Sequence, residues 1–316
     1  VTPEQVIAGV LDGRRRAIGR AITMAESLGP DGREVMRALH PRGGRAVRLG
    51  VTGSPGAGKS TLSAALVRHL RAQGRTVAIV SVDPTSPFTH GAVLGDRIRL
   101  VDHFLDDGVF IRSMASRGHL GGLSEATADA VGILDAAGFD VVIVETVGAG
   151  QNEVEVQALT DTVLLVLMPG SGDAIQAIKA GVMEIPDVIV INKCDRPGAD
   201  ILAGEVESAL TLVPADGWLP PVILTQALEG QGVAEAWDAV MRHRDDLAAS
   251  GRAAQRERDG IRRQLRSLAL ERMARRLDAG TDPATLDALV ERVATREIDP
   301  STAVDTILGA GPGKEA

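Results

Sequence analysis

Seven short apolar runs recur along the middle of the chain. They are AVRLGVTG (46–53), TVAIVSVD (76–83), GVFIRSM (108–114), FDVVIVET (139–146), TVLLVLMP (162–169), DVIVINK (187–193) and PVILTQA (221–227). Each is strand-length, most are rich in β-branched residues, and helically spaced stretches separate most of them. Near-continuous apolar strands alternating with helices predict an α/β fold, a mostly parallel central sheet flanked by helices on both faces. Ligands in such sheets sit at the carboxyl ends of the strands. The polar residues that close each run are therefore the candidates for chemistry.

The flanks read differently. Residues 1–46 are expected to be helical, opening on Thr2-Pro3-Glu4-Gln5, an N-cap with Pro at N1 and Gln at N3. Val6, Val10 and Leu11 keep one face of that first helix apolar. HPRGGR (40–45) is a breaker cluster and marks a boundary. Residues 252–277 are arginine-rich, and Ile261, Leu265, Leu268 and Met273 form an apolar stripe, which predicts an amphipathic helix. Asp282-Pro283 and Asp299-Pro300 each mark a further helix start. The organisation expected is an N-terminal helical segment over 1–46, a nucleotide-binding domain over 47–248 and a C-terminal helical arm over 249–316.

Composition narrows the picture. With 44% hydrophobic residues but only 2% aromatic and no tyrosine, the core must be built from Val, Leu, Ile and Ala. Few rings are left for stacking bases, and the net charge of -8 is the wrong sign for nucleic acid or an anionic membrane. Cys194 is the single cysteine, so no disulfide framework or multi-cysteine metal site forms within the chain, and a reducing cytoplasm is expected. The sequence shows no signal-like start and no run of 18 apolar residues. The six histidines show no ligand-like clustering and read as surface or structural.

The candidate chemistry lies where the runs end. Gly53–Ser60, GSPGAGKS, has the form G-x-x-x-x-G-K-[ST] between a strand and a helix. Glycines let consecutive backbone N–H groups turn inward, and the helix N-terminus favours an anion. Gly53, Ser54, Gly56, Ala57, Gly58, Lys59, Ser60 and Thr61 are thus expected around a nucleoside triphosphate, with Lys59 on the outer phosphates and Ser60 on Mg²⁺. NKCD, Asn192 to Asp195, closes another strand. An acid at Asp195 can accept both the N1–H and the exocyclic amine of guanine, which adenine lacks. The Lys193 stem can lie over the base, and Asn192 can tie this loop to the phosphate loop. In VVIVETVG, Glu145 ends a strand as a Walker-B-like carboxylate near the metal, and the Gly148 N–H falls where a γ-phosphate would sit. Asp83 and Asp96 are weaker candidates for the metal shell, either of which could instead be an ordinary turn or cap residue.

These motifs in this order, together with VDPTS, GAVLGDRIR, RGHLGG, ETVGAGQNE and GDAIQAIKAG, resemble the methylmalonyl-CoA mutase-associated GTPase chaperones (MeaB/MMAA/ArgK-like P-loop GTPases) from about residue 5 to 310. The resemblance implies a Mg²⁺-dependent GTPase with the P-loop NTPase fold. It implies service to an adenosylcobalamin-dependent acyl-CoA mutase, gating the loading or repair of a cofactor that belongs to the partner. It implies a homodimer with the C-terminal arm in the contact. Lys59, Glu145 and Asp83 then become the catalytic candidates. Ser60, Asp83, Asp96 and Glu145 become the metal set, and Asp173 and Lys179 of PGSGDAIQAIK the charged residues that signal to the mutase. The chain departs from the family where Thr225-Gln226-Ala227 replaces the common Ser-Ala of the base-contacting loop, leaving Gln226 and the Ala227 N–H to face the guanine. SPFTHG (86–91) also differs from the usual version. Gln151 lies three residues after Gly148, out of place for a water-orienting glutamine. The alternatives are a P-loop phosphotransferase acting on a small molecule or protein, and a nucleotide-holding scaffold, against which the intact Lys59, Ser60 and Glu145 argue.

Overall fold

The computed structural model describes residues 1–83, 105–115, 125–146, 152–170, 186–211 and 217–309. The chain divides into two compact units, Val1–Gln264 and Leu265–Ala316. The first is built on a seven-stranded sheet of β1 (Val47–Gly53), β2 (Val77–Asp83), β3 (Val109–Ala115), β4 (Val141–Thr146), β5 (Thr162–Leu167), β6 (Val188–Asn192) and β7 (Val222–Thr225). Their order is β3-β2-β4-β1-β5-β6-β7, and every neighbouring pair is parallel. All seven expected runs are strands, with ends trimmed by local chemistry. FDVVIVET begins its strand only at Val141, because Asp140 accepts from Thr76 N at 2.7 Å and from its Oγ1 at 2.9 Å, and Phe139 turns onto Phe110.

Alternation along the strands sorts the core. Ala78, Val80, Val82, Val142 and Val144 face one side, where α1 (Pro3–Leu11), α2 (Arg15–Glu26), α3 (Pro30–Leu39), α5 (Glu125–Ala136) and α6 (Asn152–Leu159) pack. Val77, Ile79, Val141 and Ile143 face the other, under α4 (Lys59–Ala72). α7 (Ala199–Leu210) covers Leu165, Leu167, Ile189 and Ile191, and α8 (Val233–Ala249) joins α4. Each fully buried Val, Leu or Ile contributes about 1.5–3 kcal/mol, so these two faces carry most of the stabilisation. The α1 start is the expected capping box, with Gln5 N donating to Thr2 Oγ1 and Thr2 N to the Gln5 side chain. Buried Asp135 on α5 accepts from the backbone N–H groups of Gly44 (2.6 Å), Arg45 (3.0 Å) and Ala46 (3.0 Å). That clamp fixes the entry to β1.

α9 (Ala253–Gly280) is the expected arginine-rich helix. In the second unit, α10 (Pro283–Ala294) and α11 (Pro300–Ile307) start at the expected caps. Asp282 accepts from Thr285 N, and Asp299 from Ser301 N and Thr302 N. Leu289 and Ala303 are buried there, while Leu270, Met273, Val290, Val304 and Leu308 are exposed. No described helix is long and apolar enough to cross a membrane.

The feet of β5 and β6 hold a buried polar node. His243 on α8, 1% exposed, receives the Thr162 hydroxyl at Nδ1 (2.9 Å) and lies 3.3 Å through Nε2 from Asp187 Oδ1. Asp187 also accepts from Val163 N (2.8 Å) and Arg256 (2.5 Å), and its carbonyl takes the Trp218 indole N–H (2.8 Å). Burial first, then the Arg256 and Arg252 guanidiniums, push the His243 pKa down to about 3. The imidazole is therefore neutral, and a proton on Nε2, the nitrogen facing Asp187, leaves Nδ1 to accept from Thr162. Burial raises the pKa of Asp187, opposed chiefly by Arg256.

The acid response follows from the sign. Below the ordinary histidine value of 6.5, the unfolded chain binds a proton that folded His243 refuses down to about 3. The stability it contributes is complete above that window and is lost as pH falls through it. Asp187, raised from the ordinary 3.8, acts in the opposite direction, and its contribution is common to both proteins. His243→Gln keeps a donor for Asp187 and an acceptor for Thr162 but does not titrate. Between about pH 7.5 and about 4.5, wild type should lose roughly 2 kcal/mol more stability than this variant. Chemical denaturation at both pH values measures the difference, and equal losses would contradict the assignment.

Candidate functional site

β1 lies centrally between β4 and β5, so the chain leaving Gly53 emerges where strand order reverses. Gly53 has φ +140°, and a Cβ there would sit 2.1 Å from the Val166 carbonyl oxygen of β5. Only glycine lets the loop leave β1 at this point. Gly58, at φ +94°, is the N-cap of α4 and presses so closely on Asn192 that a Cβ would lie 2.3 Å from its Nδ2. The N-cap of α4 carries no side chain to close the helix start, the end of a helix that favours an anion. Ser54 and Thr61 are partly exposed, and Ala57 is buried beneath the loop.

Lys59 is 8% exposed and donates to the carbonyls of Gly53 (2.7 Å) and Ser54 (3.0 Å). The Ser60 hydroxyl donates to Glu145 Oε1 at 2.5 Å. The β1–β4 register makes this pair, since Val51 aligns with Glu145. Glu145 is 3% exposed, and behind it the Thr146 hydroxyl donates to Thr52 Oγ1 at 3.0 Å. Asp83 closes β2, whose Ser81 aligns with Glu145, so its backbone ends on the same edge. The Asp83 side chain and Gly148, Asp96, Gln151, Asp173 and Lys179 lie outside the described residues.

The second motif meets the first through Asn192. Its Nδ2 donates to the Ala57 carbonyl (3.0 Å), and its Oδ1 accepts from Thr225 Oγ1 (3.2 Å) and Ala227 N (3.1 Å). The Ala227 N–H, expected to face a guanine, is thus given to Asn192 in this structure. Gln226 turns the chain, its N–H donating to the Gln231 carbonyl (3.1 Å). Lys193 has φ +59°, and its ammonium donates to the Gly56 carbonyl (2.7 Å). Asp195 is exposed in the turn that follows, where Arg196 N donates to the Lys193 carbonyl (3.0 Å).

Residues 18–282 match the family described as methylmalonyl Co-A mutase-associated GTPase MeaB. The chain belongs to the MeaB family. It is a GTPase, as family and relatives are named. GTPase ArgK of Escherichia coli is 41% identical over 263 residues, covering 80% of each chain. The mouse protein named methylmalonic aciduria type A homolog, mitochondrial, is 31% identical over 328 residues, covering 97% of this chain and 79% of its own. A crystal structure titled LAO/AO transport system kinase superposes with a TM-score of 0.73 at 32% identity, covering 97% of this chain and 96% of that one.

Sequence reasoning overlooked several contributors to the site of this MeaB-family GTPase. Thr52 and Thr146 join β1 to β4 just below Ser60 and Glu145. Thr225, singled out only as part of the altered base loop, helps hold Asn192, and Met168 sits beside Lys193. Each hydroxyl at a strand end was a visible signal, but its partner depends on sheet order. Asn192→Ala removes three hydrogen bonds from a buried position and leaves Ala57 O without its donor. It should cost roughly 2–4 kcal/mol of stability. Urea unfolding of the two proteins tests this, and a loss under about 0.5 kcal/mol would show that other contacts hold the loops together.

Proposed function

We propose that this GTPase acts with Mg²⁺ as a chaperone for an adenosylcobalamin-dependent acyl-CoA mutase, methylmalonyl-CoA mutase or a related one, gating cofactor loading or repair. The observation that carries the reading is the MeaB family match across a chain in which Asn192 joins a phosphate loop to a guanine-type motif. Gly53–Thr61 would wrap the phosphates with backbone N–H groups. Lys193 and Asp195 would hold the guanine, with Gln226 and Ala227 alongside. The Gly148 N–H would meet the γ-phosphate.

Ser60 and Glu145 offer adjacent hard oxygens, the donor chemistry Mg²⁺ prefers, and Asp83 and Asp96 would complete the surroundings. The ion would neutralise charge on the β- and γ-phosphates. Lys59, now on the Gly53 and Ser54 carbonyls, would transfer its hydrogen bonds to the γ-phosphate and stabilise the charge that develops as water attacks. Glu145 would hold Ser60 in place, and Asp83 would stand by the attacking side. The adenosylcobalamin remains the mutase's cofactor.

The functional organisation we infer is a GTPase domain over 47–248, an N-terminal helical segment over 1–46 and a C-terminal arm over 249–316. Uncovered Leu270, Met273, Val290 and Val304 suit that arm to a homodimer contact. Asp173 and Lys179 would carry the signal to the mutase. The absence of aromatic residues from the basic helix disfavours nucleic acid, and one unpaired cysteine suits the cytoplasm. Phosphoryl transfer to another acceptor is not favoured, since the family and the Escherichia coli relative are named GTPases.

Phosphate release from GTP, with ATP as control, tests the proposal with and without an adenosylcobalamin-dependent acyl-CoA mutase from the same source. A GTP-selective rate that rises roughly tenfold or more with the mutase is expected, because a partner can place a group the isolated site lacks. A rate unmoved by any such mutase would overturn the chaperone role. Asp195→Asn should weaken GTP binding on the order of 100-fold and favour xanthine nucleotides, whose C2 carbonyl suits an amide donor. Unchanged GTP affinity in titration calorimetry would remove Asp195 from base recognition.

A further inference from the structure

Lys193 is a non-glycine residue held at φ +59°. Such a conformation persists where the surroundings fix it. Two groups hold the far end of its side chain. Nζ donates to the Gly56 carbonyl at 2.7 Å and reaches Met168 Sδ at 3.5 Å. Met168 also lies next to the phosphate loop, since a Cβ added at Gly56 would come within 3.8 Å of its methyl carbon.

The sheet explains this placement. β5 runs beside β1 with Val166 opposite Gly53, so the residue two further on lies beneath the loop that leaves Gly53. Period-two alternation puts Met168 on the same side as Leu164 and Val166, and it packs on their core cluster as a half-buried residue. A thioether there does what a purely aliphatic side chain cannot. It fills the space under the loop with apolar atoms and turns a soft acceptor toward an ammonium that still has hydrogens to place.

We propose that Met168 is a further positioning residue of the nucleotide site, acting through Lys193. The inference rests on reading Asn192–Asp195 as the base-recognition segment. With its ammonium anchored at both Gly56 and Met168, the Lys193 stem is held in one direction, ready to lie along a purine face. Without Met168, the ammonium keeps only Gly56, the stem gains freedom, and ordering it then opposes nucleotide binding.

A double-mutant cycle tests the link, using fluorescently labelled GDP and GTP on the full-length protein. Met168→Ala should weaken both nucleotides about fivefold, through faster dissociation. KM for GTP should rise in proportion, while kcat moves less than about twofold. Met168→Leu keeps the core volume and removes the acceptor, so a correctly folded variant should still lose about twofold. In a Lys193→Ala background, neither change should weaken binding further. Wild-type affinity in Met168→Ala, or losses that simply multiply with those of Lys193→Ala, would overturn the inference. A core-packing role alone would lower the melting temperature without that coupling. Failure of the wild-type protein itself to bind guanine nucleotides would instead refute the underlying reading of the site.

Discussion

Asn192 makes three hydrogen bonds from one buried amide, and the site is assembled around them. The phosphate loop, the end of β6 and the turn after β7 are far apart in the chain, with 135 positions between Ala57 and Asn192. Each segment is irregular, and each carries backbone groups that the sheet does not satisfy. A buried unsatisfied amide or carbonyl costs roughly 1–3 kcal/mol, so the three segments are held to one arrangement in which all are paired. Gly58 belongs to the same constraint. The close approach to Asn192 leaves no room for a side chain, and the positive φ there is glycine's.

The parallel sheet makes this meeting possible. With β1 between β4 and β5, the end of β1 faces a carboxylate on one side and a methionine on the other. The Ser60–Glu145 hydrogen bond and the Lys59 contacts to Gly53 and Ser54 show polar groups pairing with one another where phosphate and metal chemistry is proposed. In the proposed reaction these groups would already be positioned, and a ligand would exchange their partners rather than recruit them from solvent. Little reorganisation is then needed when charge develops.

The opposite end of the sheet is held differently. Thr162, Asp187, His243 and Arg256 form a buried network in which one imidazole stays neutral and one carboxylate faces one guanidinium. Arg48 and Asp161 make a second, more exposed pairing at the foot of β1, with two contacts from the guanidinium to Oδ1. Asp135 secures the chain before β1. Polar clamps at the feet of the strands leave their carboxyl ends to carry the site, a division consistent with a scaffold that stays fixed while ligands are exchanged.

Much of the protein was legible because its signals are local. Seven apolar runs became seven strands, and the caps at Thr2, Asp282 and Asp299 formed as their neighbours required. GSPGAGKS and NKCD marked the loop after β1 and the turn after β6 as the candidate phosphate and base sites, since glycine placement and strand-end position are properties of a few consecutive residues. Strand order lay beyond that reading, because nothing in a run of Val and Ile names its neighbour. Only the tertiary structure decided that Glu145 would meet Ser60, that Ala227 N–H would turn to Asn192, and that His243 would take the structural of the two roles open to it, as a buried neutral link. It also brought Met168 to Lys193. These contacts depend on register between strands distant in sequence, where a shift of one residue would send every side chain to the opposite face.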